Sequence, residues 1–303
     1  MKSQRFYPQA ELLIRCLPAL ASETCFAMKG GTAINMFVRP MPRLSVDIDL
    51  TYVPIEDRKS SLSNISAALE RIAIKIQRSI PEVKINRTER DHRIIKLVVG
   101  LNGSLIKIEP NEVLRGTTSS PVTMNLVKEA EDLFEMSTSV PIVPIGDLYG
   151  GKICAALDRQ HPRDLFDIKT LLENEGITEN IRKAFLVFLC SHDRPMHELI
   201  NPNLKNLTSI YNQEFKGMTT TEVSLDELYQ ARSSLIEIIQ KSISTDEKHF
   251  LLSLKRGLPD WNRLGVAVAE TLPAIQWKLQ NIQKMTETKR QEQIIKLTAV
   301  LKL

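Results

Sequence analysis

Glycine is scarce in this chain, with 12 in 303 residues against the roughly 7% of an average protein. A backbone so sparing of glycine has a local reason for each doublet, a path or close approach that a Cβ would forbid. There are two, Gly30-Gly31 and Gly150-Gly151. Aromatic residues make up only 5%, which leaves few platforms for gripping unstacked bases. Cys16, Cys25, Cys154 and Cys190 form no Cys-x-x-Cys pair and no zinc spacing, so neither a disulfide framework nor a structural zinc is indicated. A reducing, cytoplasmic location is therefore expected. No apolar run approaches the roughly 20 residues that cross a bilayer, and Glu11 and Arg15 interrupt the stretch that a signal peptide would need. No membrane partner is expected.

What is present is an ordinary globular composition, 43% hydrophobic and 25% charged, on a chain long enough for two domains. The net charge of +4 averages unlike segments. Residues 58–96 hold ten basic and four acidic side chains, residues 255–303 hold nine and four, and residues 109–135 reverse the balance with two and six. Basic stretches on a near-neutral chain permit a nucleic-acid partner without requiring one.

Hydrophobic periodicity predicts a short helix over 9–17 stopped by Pro18, and a short strand over 24–28. Lys29-Gly30-Gly31-Thr32 then reads as a turn opening a helix that ends near Val38. Over 44–53, Leu44, Val46, Ile48 and Leu50 alternate with Ser45, Asp47, Asp49 and Thr51, a strand with one apolar face and one that carries both carboxylates. Residues 60–79 form an amphipathic helix. Two β-rich runs, 93–99 and 104–109, are joined through Asn102-Gly103, the dipeptide of tight type I′ hairpins, and 122–127 adds a further strand. From Asp147 the pattern is helical. These elements predict an α/β domain over 1–170 followed by a mainly helical C-terminal domain over 171–303.

The chemistry concentrates on carboxylates. Asp47 and Asp49 share a strand face about 7 Å apart, and Glu109, ending a later strand, completes the set if that strand is a neighbour. Like charges at about 4 Å repel by on the order of 4 kcal/mol per pair at an effective dielectric near 20, which points to a bound cation. Oxygen donors without His or Cys select Mg²⁺ or Mn²⁺. Two such ions can steady the entering and leaving oxygens of an in-line displacement on a nucleoside triphosphate. The glycine turn supplies backbone N–H groups at a helix N-terminus, where phosphate binds. On the later helix Lys152, Ala155 and Arg159 share a face, and after Pro162 so do Asp164 and Asp167. The glycines at 150 and 151 would each cost roughly 1 kcal/mol inside a helix, so something packs or binds closely there. Gly146 to Lys152 also satisfies the P-loop spacing, but Ile153 occupies the magnesium-binding Ser/Thr position and Pro144 interrupts the preceding strand. His161, in a turn before Pro162, is expected to face solvent.

Taken in order, Gly30-Gly31-Thr32, Arg43-x-Ser45-x-Asp47-x-Asp49 and Lys107-Ile108-Glu109 resemble the nucleotidyltransferase fold of the polymerase-β type, with its mixed sheet. Leu148-x-x-x-Lys152-x-x-Ala155-x-x-x-Arg159 and Arg163-Asp164-x-x-Asp167 narrow the resemblance to the AbiEii toxin family, including the MenT toxins, of type IV toxin–antitoxin and phage-defence systems. The resemblance implies a Mg²⁺-dependent enzyme moving a nucleotide from an NTP to an acceptor hydroxyl, the 3′ end of tRNA in MenT-like relatives, and an AbiEi-like winged-helix antitoxin as partner. It gives Asp47, Asp49 and Glu109 to the metal, and Gly30, Gly31, Thr32, Arg43, Ser45, Arg159 and Asp164 to the nucleotide. Lys152 contacts the triphosphate, and Asp167 is essential. The same residues leave open transfer to a protein or a small molecule, and a non-catalytic nucleotide-binding module. An RNA backbone is expected along the basic stretches.

Overall fold

The computed structural model describes residues 6–303. Two compact units account for the chain: the first runs to Pro144 and takes back Lys216–Glu222, and the second comprises Ile145–Phe215 and Val223–Leu303.

The first unit is built on a mixed sheet of seven strands, β1 (Phe26–Lys29), β2 (Asp47–Tyr52), β3 (Lys84–Arg90), β4 (Arg93–Leu101), β5 (Ser104–Asn111), β6 (Val122–Asn125) and β7 (Ser139–Ile142). Their spatial order is β3-β4-β5-β2-β1-β7-β6. β2 lies parallel to β5 and β1 parallel to β7, the other neighbours being antiparallel. The apolar face of the central strands is closed by α1 (Tyr7–Ala21) and α3 (Arg58–Ser79). Ile48, Leu97, Ile106 and Ile108 are fully removed from solvent there, together with Leu69 and Ile72 of α3. Each such side chain contributes about 1.5–3 kcal/mol by burial.

Local signals set several boundaries and tertiary packing moves others. The hairpin closes as predicted, with Asn102 and Gly103 both at positive φ and Leu101 opposite Ser104. α1 continues through Pro18, which lies on its solvent side, because the turn beyond it buries Ala19 and Leu20 and offsets the missing backbone bond. β3 escapes hydrophobic patterning because only Ile85 among its seven residues is apolar; it is an edge strand held by pairing with β4. The turn at 30 opens α2 (Gly30–Ala33), which widens into π-type turns over Ile34–Val38. A returning segment completes the unit. Arg43 bridges to Thr219, and the Thr220 amide donates to the Pro42 carbonyl at 2.9 Å.

The second unit is helical: α4 (Lys128–Phe134) belongs to the first unit, and α5 (Ile145–Arg159), α6 (Pro162–Glu173), α7 (Glu179–Ser191), α8 (Met196–Ile200), α9 (Thr208–Ile210), α10 (Leu225–Ser242), α11 (Thr245–Arg256), α12 (Pro273–Gln283) and α13 (Glu287–Leu301) follow. Its tightest packing is α5 on α7. There Gly150 lets the helix backbones meet: a Cβ at this position would stand 2.7 Å from the Phe185 amide nitrogen and 2.8 Å from the Ala184 carbonyl carbon. At Gly151 the neighbour is the Phe188 ring, 3.4 Å from the same added atom. The second doublet is thus explained by helix packing.

Gly150→Ala sets two effects against each other. Helix propensity favours alanine by about 1 kcal/mol, while overpacking against backbone costs about 1–3 kcal/mol. Urea denaturation is expected to show a net loss of stability, and a more stable variant would mean that α5 and α7 do not pack this closely.

Candidate active site

The carboxylates are set by strand register. Asp49 pairs with Glu109 across the parallel β2–β5 ladder, and Asp47 pairs with Lys107. Neighbouring strands run about 4.8 Å apart, so Asp49 and Glu109 stand side by side on the face opposite the core. Two lysines unforeseen in the sequence flank them. Lys29 of β1 is the register partner of Asp49, and Lys96 of β4 places its Nζ 3.6 Å from Glu109. Across four strands the face therefore reads Lys29, Asp49, Glu109, Lys96. Burial pulls the Lys29 pKa below its ordinary value, against the opposing charge of Asp49. The signal for Lys29 was its place before the glycine doublet; for Lys96 it was only the parity of β4.

This row changes the charge argument. The repulsion between the carboxylates is met in part by lysines, and it does not by itself demand an ion. Among the described residues no three His, Cys, Asp or Glu side chains are gathered around one point. The donors are nevertheless all hard oxygens on one face, the set that Mg²⁺ and Mn²⁺ prefer. An ion shared by all three would have to draw Glu109 away from Lys96.

The glycine turn abuts the same row. Gly30 has φ +78°, and a Cβ there would collide with the Asp49 carboxylate. Over Gly31 lies the Arg43 guanidinium, with Nη2 2.6 Å and Ser45 Oγ 3.0 Å from where a Cβ would be. Arg43 is 4% exposed and donates from Nη1 to the Leu44 carbonyl. The Thr32 hydroxyl is turned inward: it donates to the Asp47 carbonyl at 2.5 Å and lies 3.0 Å from Ser45 Oγ. At 1% exposure Thr32 fastens the turn to the start of β2 and presents no hydroxyl at the surface. Gly30, Gly31, Thr32, Arg43, Ser45, Asp47, Asp49 and Glu109 are thus brought together in one unit, and a cleft of about 570 Å³ opens beside Asp49 and Glu109.

The remaining candidates form a second cluster, within the helical unit. Lys152 Nζ lies 2.9 Å from both Asp164 Oδ1 and Asp167 Oδ2, and Arg159 Nη2 lies 2.8 Å from Asp164 Oδ2. Lys152, Asp164 and Asp167 are buried, while Arg159 reaches in from an exposed position. Burial pushes the Asp164 pKa up, but the charges of Lys152 and Arg159 outweigh it and hold the carboxyl below its ordinary value. The spacing that would suit a P-loop lies wholly inside α5, so no phosphate loop exists there. His161 does not simply face solvent: it is half-buried and caps α6, its Nδ1 accepting from the Arg163 amide at 3.1 Å.

The family model for the nucleotidyl transferase AbiEii toxin of type IV toxin–antitoxin systems matches residues 11–281. The fold is similar to that of MenT4, a nucleotidyltransferase toxin from Mycobacterium tuberculosis H37Rv, with a TM-score of 0.55 and 15% identity over 96% of this chain and 92% of that one. Among curated proteins none matches the sequence. The chain is an enzyme of the nucleotidyltransferase class. It belongs to the AbiEii family of type IV toxins. No helix among the described residues is long and apolar enough to cross a membrane.

Because the folded pKa of Asp164 is lowered, its contribution to stability is fully present above the ordinary carboxylate value, about 3.9, and is lost as pH falls through the lowered value. Removing one partner of a buried pair costs about 3–5 kcal/mol, and Lys152 keeps Asp167, so Asp164→Asn is expected near the low end of that range. Urea melts across pH should show a constant gap between wild type and variant at neutral pH that closes only below about pH 3.9. A gap that instead widens toward acid would contradict this assignment.

Proposed function

We propose that this enzyme transfers a nucleotide from a nucleoside triphosphate to the 3′ end of tRNA. The observation that carries the reading is the in-register pair Asp49 and Glu109 on parallel strands, with the Gly30 backbone pressed against the Asp49 carboxylate. Asp47, Asp49 and Glu109 would hold Mg²⁺ or Mn²⁺, which supplies positive charge to polarise the acceptor hydroxyl and steady the departing pyrophosphate. The backbone N–H groups of Gly30 and Gly31 would receive phosphate oxygens. Thr32 keeps that turn fixed against β2, and Arg43 with Ser45 adds charge and a hydroxyl beside it. The acceptor oxygen attacks the α-phosphorus, the bond to the bridging oxygen of the β-phosphate breaks, and pyrophosphate leaves.

Within the helical unit, we infer that Lys152, held between Asp164 and Asp167 with Arg159 on Asp164, forms a functional charge cluster. The support is energetic: a buried lysine between two aspartates stabilises a fold no better than apolar side chains of similar volume. Charged clusters retained at such cost are candidates for function. The tRNA acceptor rests on the family resemblance and on the basic stretches at 58–96 and 255–303. The proposed partner in the toxin–antitoxin pair is a winged-helix antitoxin of the AbiEi kind.

Incubation with tRNA, Mg²⁺ and each α-labelled nucleotide tests the reading. Label is expected at the tRNA 3′ end with one preferred nucleotide, and Asp49→Asn should lower the rate by at least about a hundredfold, the loss that follows removal of one electrostatic contact to a reacting centre. Label found in protein or in a small molecule would replace the acceptor, and label persisting in Asp49→Asn would remove these carboxylates from the site.

A further inference from the structure

The cleft beside the carboxylates extends away from the glycine turn, along the sheet toward β4 and β3. Its walls include Arg58 at the start of α3, Arg90, Asp91 and Arg93 at the β3–β4 turn, Asn111 at the end of β5, and Glu112 and Val113 in the loop beyond it. The pairing of these cations is incomplete. Arg90 is committed to Glu112, and Arg93 reaches Asp91 at 3.3 Å through Nη2, but Asp91 is 76% exposed and Arg93 Nε is buried with no partner. No ion pair engages Arg58 among the described residues. Arg115, on the same loop, donates its amide to the Val113 carbonyl at 3.1 Å. It is 6% exposed, with Nε and Nη1 unpartnered. Burial, and then the charge of Arg58, push its pKa down against the opposing charge of Asp57. Each buried donor left unmade costs about 1–3 kcal/mol, a cost that an anionic oxygen would relieve.

From this geometry we infer that the cleft is the subsite for the acceptor strand, where Arg58 and Arg93 grip its phosphodiester backbone. The inference rests on the polynucleotide acceptor proposed above. Three features select this ligand. The guanidinium forks match phosphate oxygens. Arg93 stands on β4, beyond Glu109, whereas the glycine turn follows β1, beyond Asp49, so a strand held at Arg93 and a nucleotide at the turn would meet the row at different strands. Among the described residues no aromatic side chain lines the cleft, so the grip falls on the backbone and is indifferent to base sequence.

The test uses the full chain and a fluorescein-labelled RNA stem with a single-stranded 3′ end. Arg58→Ala/Arg93→Ala is expected to raise the KM for this RNA about tenfold, to leave the KM for the transferred nucleotide unchanged, and to make the log–log salt dependence of RNA binding shallower by about 1 to 2. Arg58→Lys/Arg93→Lys, which keeps the charge, should recover most of the salt slope, and thermal melting establishes that both pairs of substitutions fold. A second RNA of the same length and scrambled sequence should respond equally. The inference is overturned if the nucleotide KM rises while the RNA KM stays, since the cleft would then hold the triphosphate, or if neither moves. Wild-type protein that fails to bind the RNA at all would overturn the polynucleotide acceptor itself, an outcome distinct from unchanged binding in the variants.

Discussion

The first unit depends on one pairing, the parallel ladder between β2 and β5. It sets Asp49 beside Glu109 and Asp47 beside Lys107, while the antiparallel partners on either side bring in Lys29 and Lys96. Side chains alternate along a strand with a period of two, so a slip of β2 by one residue would send Asp47 and Asp49 into the core and Ile48 to the surface. Burial of Ile48, Ile106 and Ile108 under α1 and α3 is therefore also what holds the polar face in register. The hydrophobic core and the charged row are two sides of the same alternation.

The two ionic clusters differ in how they hold charge. On the sheet, two adjacent carboxylates are flanked by ammonium groups in a half-open row where water and ions can compete, and Glu109 keeps half of its side chain exposed. In the helical unit, Lys152 is enclosed between two aspartates with almost no access to solvent. The first arrangement is suited to exchanging partners and the second to fixing a side chain in one orientation. The glycines serve the same division: Gly30 lets backbone reach a carboxylate, and Gly150 lets one helix reach another.

Much of this was legible in the sequence. The alternation through Asp47 and Asp49, the amphipathic pattern of α3 and the Asn102-Gly103 turn are local signals, and each marks an element that formed, although β2 begins at Asp47 and not at residue 44. Long-range pairing was not legible. β3 is a strand because β4 offers it an edge, and its own residues would suit a loop. Lys29 and Lys96 join the carboxylates through cross-strand neighbours that no spacing records. The second glycine doublet correctly signalled crowding, but only the fold identifies the Phe185 backbone as what crowds Gly150. Thr32 carried a phosphate-site motif, and its hydroxyl is spent on a backbone carbonyl fifteen residues away.

The returning segment Lys216–Glu222 has a consequence for how the enzyme is made. A ribosome delivers Gly30, both strand aspartates and Glu109 early, but the backbone partner of Pro42 and Arg43 arrives only with Thr219 and Thr220. Until that stretch has left the exit tunnel, the segment that carries the arginine over Gly31 lacks its backbone partner. A nascent chain ending at Pro144 would display every carboxylate of the row without the piece that finishes its frame. For a member of a toxin family, synthesis order itself separates the appearance of the carboxylate row from the completion of its support.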